Sequence, residues 1–93
     1  MEILSKVPVI NEQLTIREIG EEIVILAEET GDIHSLEGTA GFLWGCIDGN
    51  KTITEIINNL CDEYDITYDI AQSDAIDFFN DCIDKNLVSL KEK

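Results

Sequence analysis

A chain with a single histidine has few routes to acid–base chemistry, and here that residue is His34. General acid–base catalysis or a nucleophilic triad needs a base held against a nucleophile. Around His34 the sequence offers no Gly-x-Ser-x-Gly, no His-x-x-x-His and no glycine-rich phosphate cradle, so catalysis is not expected. Carboxylates are dense at Asp62-Glu63-Tyr64-Asp65 and again at Asp77, Asp81 and Asp84. Neither group follows the calcium-loop pattern with its central glycine, and both read as solvated helix faces, so no metal is expected. Cys46, Cys61 and Cys82 are odd in number and widely spaced, unlike paired metal ligands or a secreted disulfide framework. They read as small buried hydrophobes on the apolar stripes of helices, and no cofactor is implied.

What the charged residues do collectively is clearer. Twenty acidic against six basic residues give a net charge of −14. A field of that sign repels phosphate backbones and anionic headgroups, which argues against nucleic acid and membrane surfaces as partners. It draws in a basic peptide or a basic patch on another protein. No apolar run approaches the roughly 18–20 residues of a membrane span, and MEILSKVPVINE lacks the layout of a signal peptide, so a cytoplasmic protein is expected. With 93 residues, 44% of them hydrophobic, the expectation is one domain over residues 1–93.

The elements that must position these groups follow from periodicity. Leu14 to Ile19 alternates imperfectly, Gly20-Glu21 is a turn, and Glu22 to Glu28 is β-branched, so the two runs pair as strands. Thr30-Gly31-Asp32 turns the chain into a short third strand, Ile33 to Leu36, with Ile33 and Ser35 on one side and His34 and Leu36 on the other. From Gly38 the apolar period lengthens. Ala40, Leu43, Trp44 and Ile47 share one face of a first helix over 39–47. Thr52 with Glu55 forms a capping box for a second, whose stripe is Ile53, Ile56, Ile57, Leu60, Cys61 and Tyr64. A third helix, capped by Asp69 or Ser73, runs to about Lys85 and stops at Asn86. Leu87 to Leu90 is a last short strand or an extended tail. The expected fold class is α+β: winged helix-turn-helix-like, a three-stranded antiparallel sheet followed by a three-helix bundle.

That architecture raises two binding modes. A helix-turn-helix reads DNA with its second helix, but here the third helix of the chain carries Asp69, Asp74, Asp77, Asp81 and Asp84 against Lys85 alone. Phosphates would repel it. The other mode is peptide recognition, because a strand edge offers unpaired amides and carbonyls to an extended peptide. The apolar residues of the third helix span about 160° of its surface, wider than the roughly 100° that seats a helix on a core. Phe78 and Cys82 could therefore wall a groove beside the Ile33–Glu37 edge, or Phe78 could simply complete the core.

The order of motifs resembles the PqqD-type precursor-peptide recognition elements. It is carried by Gly31-Asp32-Ile33-His34-Ser35-Leu36-Glu37-Gly38-Thr39-Ala40-Gly41, then Leu43-Trp44, then Asp48-Gly49-Asn50-Lys51-Thr52-Ile53-Thr54-Glu55-Ile56. Asp74, Asp77, Phe78, Phe79 and Leu87-Val88 complete it, over about residues 7 to 90. The resemblance implies a non-catalytic chaperone for ribosomally synthesised, post-translationally modified peptides. Such a protein binds the leader segment of a precursor as an added strand and presents it to a modifying enzyme, often a radical S-adenosylmethionine protein. Carried onto this sequence, the peptide site is Ile33, His34, Ser35 and Leu36 on the strand, with Asp74, Ala75, Phe78, Asp81 and Cys82 on the helix. The aspartates would favour a leader bearing Lys or Arg, and Phe78 would receive an apolar anchor. His34 stands where many relatives carry an aromatic or other bulky residue. A second reading of the same residues is a winged-helix adaptor or regulatory subunit that binds a folded partner and no leader.

Overall fold

The computed structural model describes residues 3–93. Its elements run β1 (Val7–Ile10), β2 (Leu14–Ile19), β3 (Glu22–Ala27), β4 (Asp32–Leu36), α1 (Gly38–Gly45), α2 (Ile53–Glu63), α3 (Tyr68–Asp84) and β5 (Val88–Lys91). The strands form two sheets, an antiparallel β2-β3-β4 meander and a separate β1-β5 pair. The fold is α+β, with the expected three-stranded antiparallel sheet and three helices, plus a two-stranded clasp that the sequence reading did not place.

That clasp adds a strand at the N-terminal segment and decides between the two readings of the tail. Residues 7–10 form a strand although Pro8 interrupts them, because a proline is tolerated on an edge where its missing N–H costs no ladder bond. The tail after α3 is a strand too, shifted to Val88–Lys91 and paired with β1, with Pro8 opposite Leu90 and Ile10 opposite Val88. The segment entering β1 also serves α2. The amides of Ile53 and Thr54 donate to the carbonyls of Lys6 and Leu4, each at 3.0 Å, so helix-start donors that would lack partners are satisfied by the N-terminal backbone.

The helices end where their chemistry dictates. Thr52 caps α2 as a complete capping box: its Oγ1 accepts from the Glu55 amide at 3.1 Å and Glu55 Oε1 accepts from the Thr52 amide at 2.8 Å. Thr67, rather than Asp69 or Ser73, caps α3, with its hydroxyl accepting from the Ile70 amide. The helix therefore begins a residue or more earlier than its aspartates suggest. At its far end Asn86 adopts φ 61°, while Leu87 N–H bonds Cys82 O at 2.9 Å and Asn86 N–H bonds Ile83 O at 3.0 Å. These two bonds are a Schellman ending, and asparagine tolerates its left-handed residue better than most side chains.

The core lies between the inner face of the meander, the three helices and the clasp. It contains Ile3, Ile25, Leu43, Trp44, all four isoleucines and leucines of the α2 stripe (Ile53, Ile56, Ile57, Leu60), Phe79, Leu87 and Val88. Of the cysteines only Cys82 is buried; Cys46 and Cys61 are half-buried, short of the full burial their positions suggest. Tyr64 is the residue after the last turn of α2 and meets Phe42 edge-on at 5.6 Å.

Candidate functional site

Gly38 decides how β4 meets α1. It sits at φ +62°, in the left-handed region open to glycine, so the chain turns from strand to helix with only Glu37 between them. The turn leaves β4 at the outside of the meander, paired with β3 on one side only. The C-terminal strand, which could have covered that side, pairs with β1 instead. Among the described residues, no backbone group of Ile33 to Leu36 bonds to anything beyond the meander. Half of the amides and carbonyls of an antiparallel edge point outward, so β4 presents an open ladder.

The register fixes which side chains face inward. His34 lies opposite Ile25, which is fully buried, and Leu36 lies opposite Ile23, so both point to the core side where the helices pack. Ile33, opposite Leu26, and Ser35, opposite Val24, point to the other face, and Ile33 is 69% exposed. The four strand residues expected at a peptide site all lie on this edge strand, and alternate ones turn their amide and carbonyl outward while the others pair with β3. Only His34 and Leu36 turn side chains toward the helices.

Helix α3 packs principally on α2 and β5, leaving hollows on its other side. One, of roughly 310 Å³, is lined by His34, Asp32, Glu28 and Glu29 from the meander and by Asp84, Lys85 and Asn86 from the end of α3. The other, of roughly 440 Å³, lies between the start of α1 and α3, lined by Thr39, Ala40, Leu43, Asp74, Asp77, Phe78 and Asp81. The chain thus passes one end of α3 at Asp32–His34 and reaches its middle at Thr39–Ala40. The two hollows flank one path along the helix.

Phe78 stands at this second hollow, half-buried, its ring edge-on to Phe79 at 5.2 Å and 76°. It belongs to both settings: packed against the core on one side and open on the other. Asp74 and Asp81 line the same hollow. Ala75 and Cys82 do not. They are 0% and 2% exposed, in the core beneath α3, because the helix turns that part of its wide apolar stripe onto α2 and β5. Burial pushes the Cys82 thiol up to about 12.

The charges around the hollows differ in availability. Asp81 is engaged by Lys85 at 2.9 Å. Asp74 and Asp77 carry no hydrogen bond or ion pair among the described residues, so they are the carboxylates free to meet a cation beside Phe78. Thr39, Ala40 and Leu43 were not expected in the site. The signal that could have found them is the run of small residues at the start of α1, which leaves the space a larger side chain would fill. Also unforeseen are Asn11, Gln13 and Asn86 around the first hollow; Asn11 Nδ2 donates to Asn86 O at 2.9 Å. Among the described residues, no three or more His, Cys, Asp or Glu side chains gather so as to hold a metal ion, and no helix is long and apolar enough to cross a membrane.

The family model described as Coenzyme PQQ synthesis protein D (PqqD) matches residues 22–88, a span that contains β3, β4, all three helices and the first residue of β5. Among solved structures, the chain is similar to one described as TbiB1 in complex with the TbiA(beta) leader peptide. The TM-score is 0.80 at 25% identity, covering 86% of this chain and 93% of that one. No curated protein matches the chain.

Proposed function

This chain belongs to the PqqD family, and on that footing we propose that it is a peptide-recognition element which binds the leader segment of a ribosomally synthesised precursor. The leader enters as a strand added to β4 and lies along α3. The observation that carries this reading is the open outer ladder of β4 beside the two α3 hollows, in a fold similar to that of TbiB1, whose structure holds a leader peptide. Backbone pairing supplies much of the affinity in strand addition, and alternate side-chain pockets supply the selectivity.

The place of each residue supports a role for it in this reading. Within Ile33, His34, Ser35 and Leu36 the alternate residues that do not pair with β3 offer main-chain donors and acceptors, and His34 lines the first hollow. Phe78, with Leu43 and Ala40, accepts an apolar leader side chain; Asp74 and Asp77 beside it favour a neighbouring Lys or Arg. Nothing in this arrangement requires a bond to be made or broken. In this reading the protein is a non-catalytic carrier that presents the remainder of the precursor to a modifying enzyme.

The test is a titration of isotopically labelled protein with the synthetic leader from the neighbouring precursor gene, following amide shifts. Shifts are expected across 32–36 and along α3. A leader N-methylated at alternate positions of its pairing segment loses the donors strand addition needs, and should bind far more weakly than the parent peptide. Unmoved β4 amides, or undiminished binding by the N-methylated leader, would refute strand addition.

A further inference from the structure

The far side of the meander faces away from the α3 hollows that receive the leader in this reading. Thr15, Arg17 and Ile19 of β2, Val24 and Leu26 of β3, and Ile33 of β4 line one apolar hollow of roughly 250 Å³ there. Ile19 and Ile33 are 62% and 69% exposed, far more than the side chains of a closed sheet face. The carboxylates bordering this face are turned onto hydroxyls: Thr15 donates to Glu28, and Ser35 donates to Glu22. That leaves the centre apolar. Within it lies Arg17, the chain's only arginine. Lys6, Lys51, Lys85 and Lys93 have carboxylate partners, whereas Arg17, like Lys91 at the far clasp, has none among the described residues. An unpaired guanidinium among exposed isoleucines has the composition of an interface centre.

We propose that this outer face is the docking surface for the peptide-modifying enzyme, which sets an apolar group into the hollow and a carboxylate against Arg17. Charge argues for such a partner and against a second copy of the chain. The chain carries −14, so a like copy is repelled, while a surface with basic residues around its apolar centre is attracted. Size argues the same way. Three strands of about five residues make a face on the order of 200 Å², against about 800 Å² per partner in a stable interface, so the contact must extend onto the acidic surroundings. An extension over acidic surface selects a basic rim.

The face also connects to the site on β4, and this part rests on the leader reading. An added strand places every second side chain on the outer face, beside Ile33 and Ser35. A partner seated there touches the leader as well as the protein and so binds the loaded form more tightly than the empty one.

Binding of the purified modifying enzyme encoded in the same gene cluster, measured with and without the synthetic leader, tests the proposal. Arg17→Glu and Ile19→Ser alter neither the open edge of β4 nor α3, and both positions are exposed, so the variants should fold. Each is expected to weaken enzyme binding by about tenfold or more, with leader affinity unchanged and with the leader strengthening the wild-type complex. Enzyme binding that the variants leave intact, or no binding by the wild-type protein, overturns the proposal. If β4 ignores the leader while both variants still lose the enzyme, the docking face stands and the leader reading fails.

Discussion

Replacing Phe78 and its neighbour Phe79 with alanine, one at a time, should separate binding from folding. Phe79 is fully buried, and truncating such a ring costs about 3–5 kcal/mol. A chain of 93 residues has a total stability of roughly 5–15 kcal/mol, so the Phe79→Ala protein should be largely unfolded by mild denaturant. Phe78 is only half-buried, and one face of its ring opens onto the hollow. It gives up its edge-on contact with Phe79, about 0.5–1.5 kcal/mol, and part of its apolar burial, for a total of about 1–2 kcal/mol. Its loss to leader binding should be about 1–3 kcal/mol, or roughly 5- to 150-fold in Kd. Denaturant melts followed by the fluorescence of Trp44, buried in the core, give the first quantity, and calorimetric titration with the leader gives the second. If Phe78→Ala destabilises the fold as much as Phe79→Ala does, the ring is a core residue. If it melts as expected yet binds leader as tightly as the wild type, it is not an anchor.

Changing Asp74 and Asp77 together to asparagine should weaken binding of a leader that carries Lys or Arg and flatten its salt dependence, leaving an uncharged leader unaffected; calorimetry at two ionic strengths reads both effects. Glu55 is held at about 2, below its ordinary 4.5, first by the Thr52 amide and then by Lys93. Its folded value is the lower one, so the stability it adds is complete above about pH 4.5 and is lost as pH falls toward 2; denaturant midpoints across that window should fall more steeply for the wild type than for Glu55→Gln. Thr52→Ala, which removes the hydroxyl half of the same cap, should cost about 1 kcal/mol at neutral pH in the same melts. Burial raises Cys82 to about 12, so in the native protein a thiol reagent at pH 8 should label Cys46 and Cys61 well before Cys82.

Local chemistry made most of the elements legible in the sequence. Gly20, Gly31 and Gly38 mark reversals that demand positive φ, the alternation between them marks strands, and Thr52 with Glu55 announces a helix through a bond pattern that needs only four consecutive residues. The expected three-strand order and the stop at Asn86 follow from such short-range rules. The start of α3 was misplaced because threonine and aspartate are both good caps, and only the geometry shows that the Thr67 hydroxyl reaches the Ile70 amide.

The net charge of −14, the run of strands and the cap chemistry are properties of composition and of neighbours in the chain, so the amino acids alone determined them. Partnership between distant segments is not. That β5 closes on β1 and leaves β4 open depends on contacts some eighty residues apart, between Ile10 and Val88 among others, which no local periodicity encodes. The wide apolar stripe of α3 likewise had no direction until the helix was seated. Packing on α2 and β5 sent Ala75 and Cys82 inward and left Phe78 at the rim. The same holds for Arg17, an ordinary strand residue in sequence, which the pairing of β2 with β3 places at the centre of an exposed apolar face. Side-chain direction is set by how elements rotate to bury the most apolar surface, and that optimum belongs to the whole molecule.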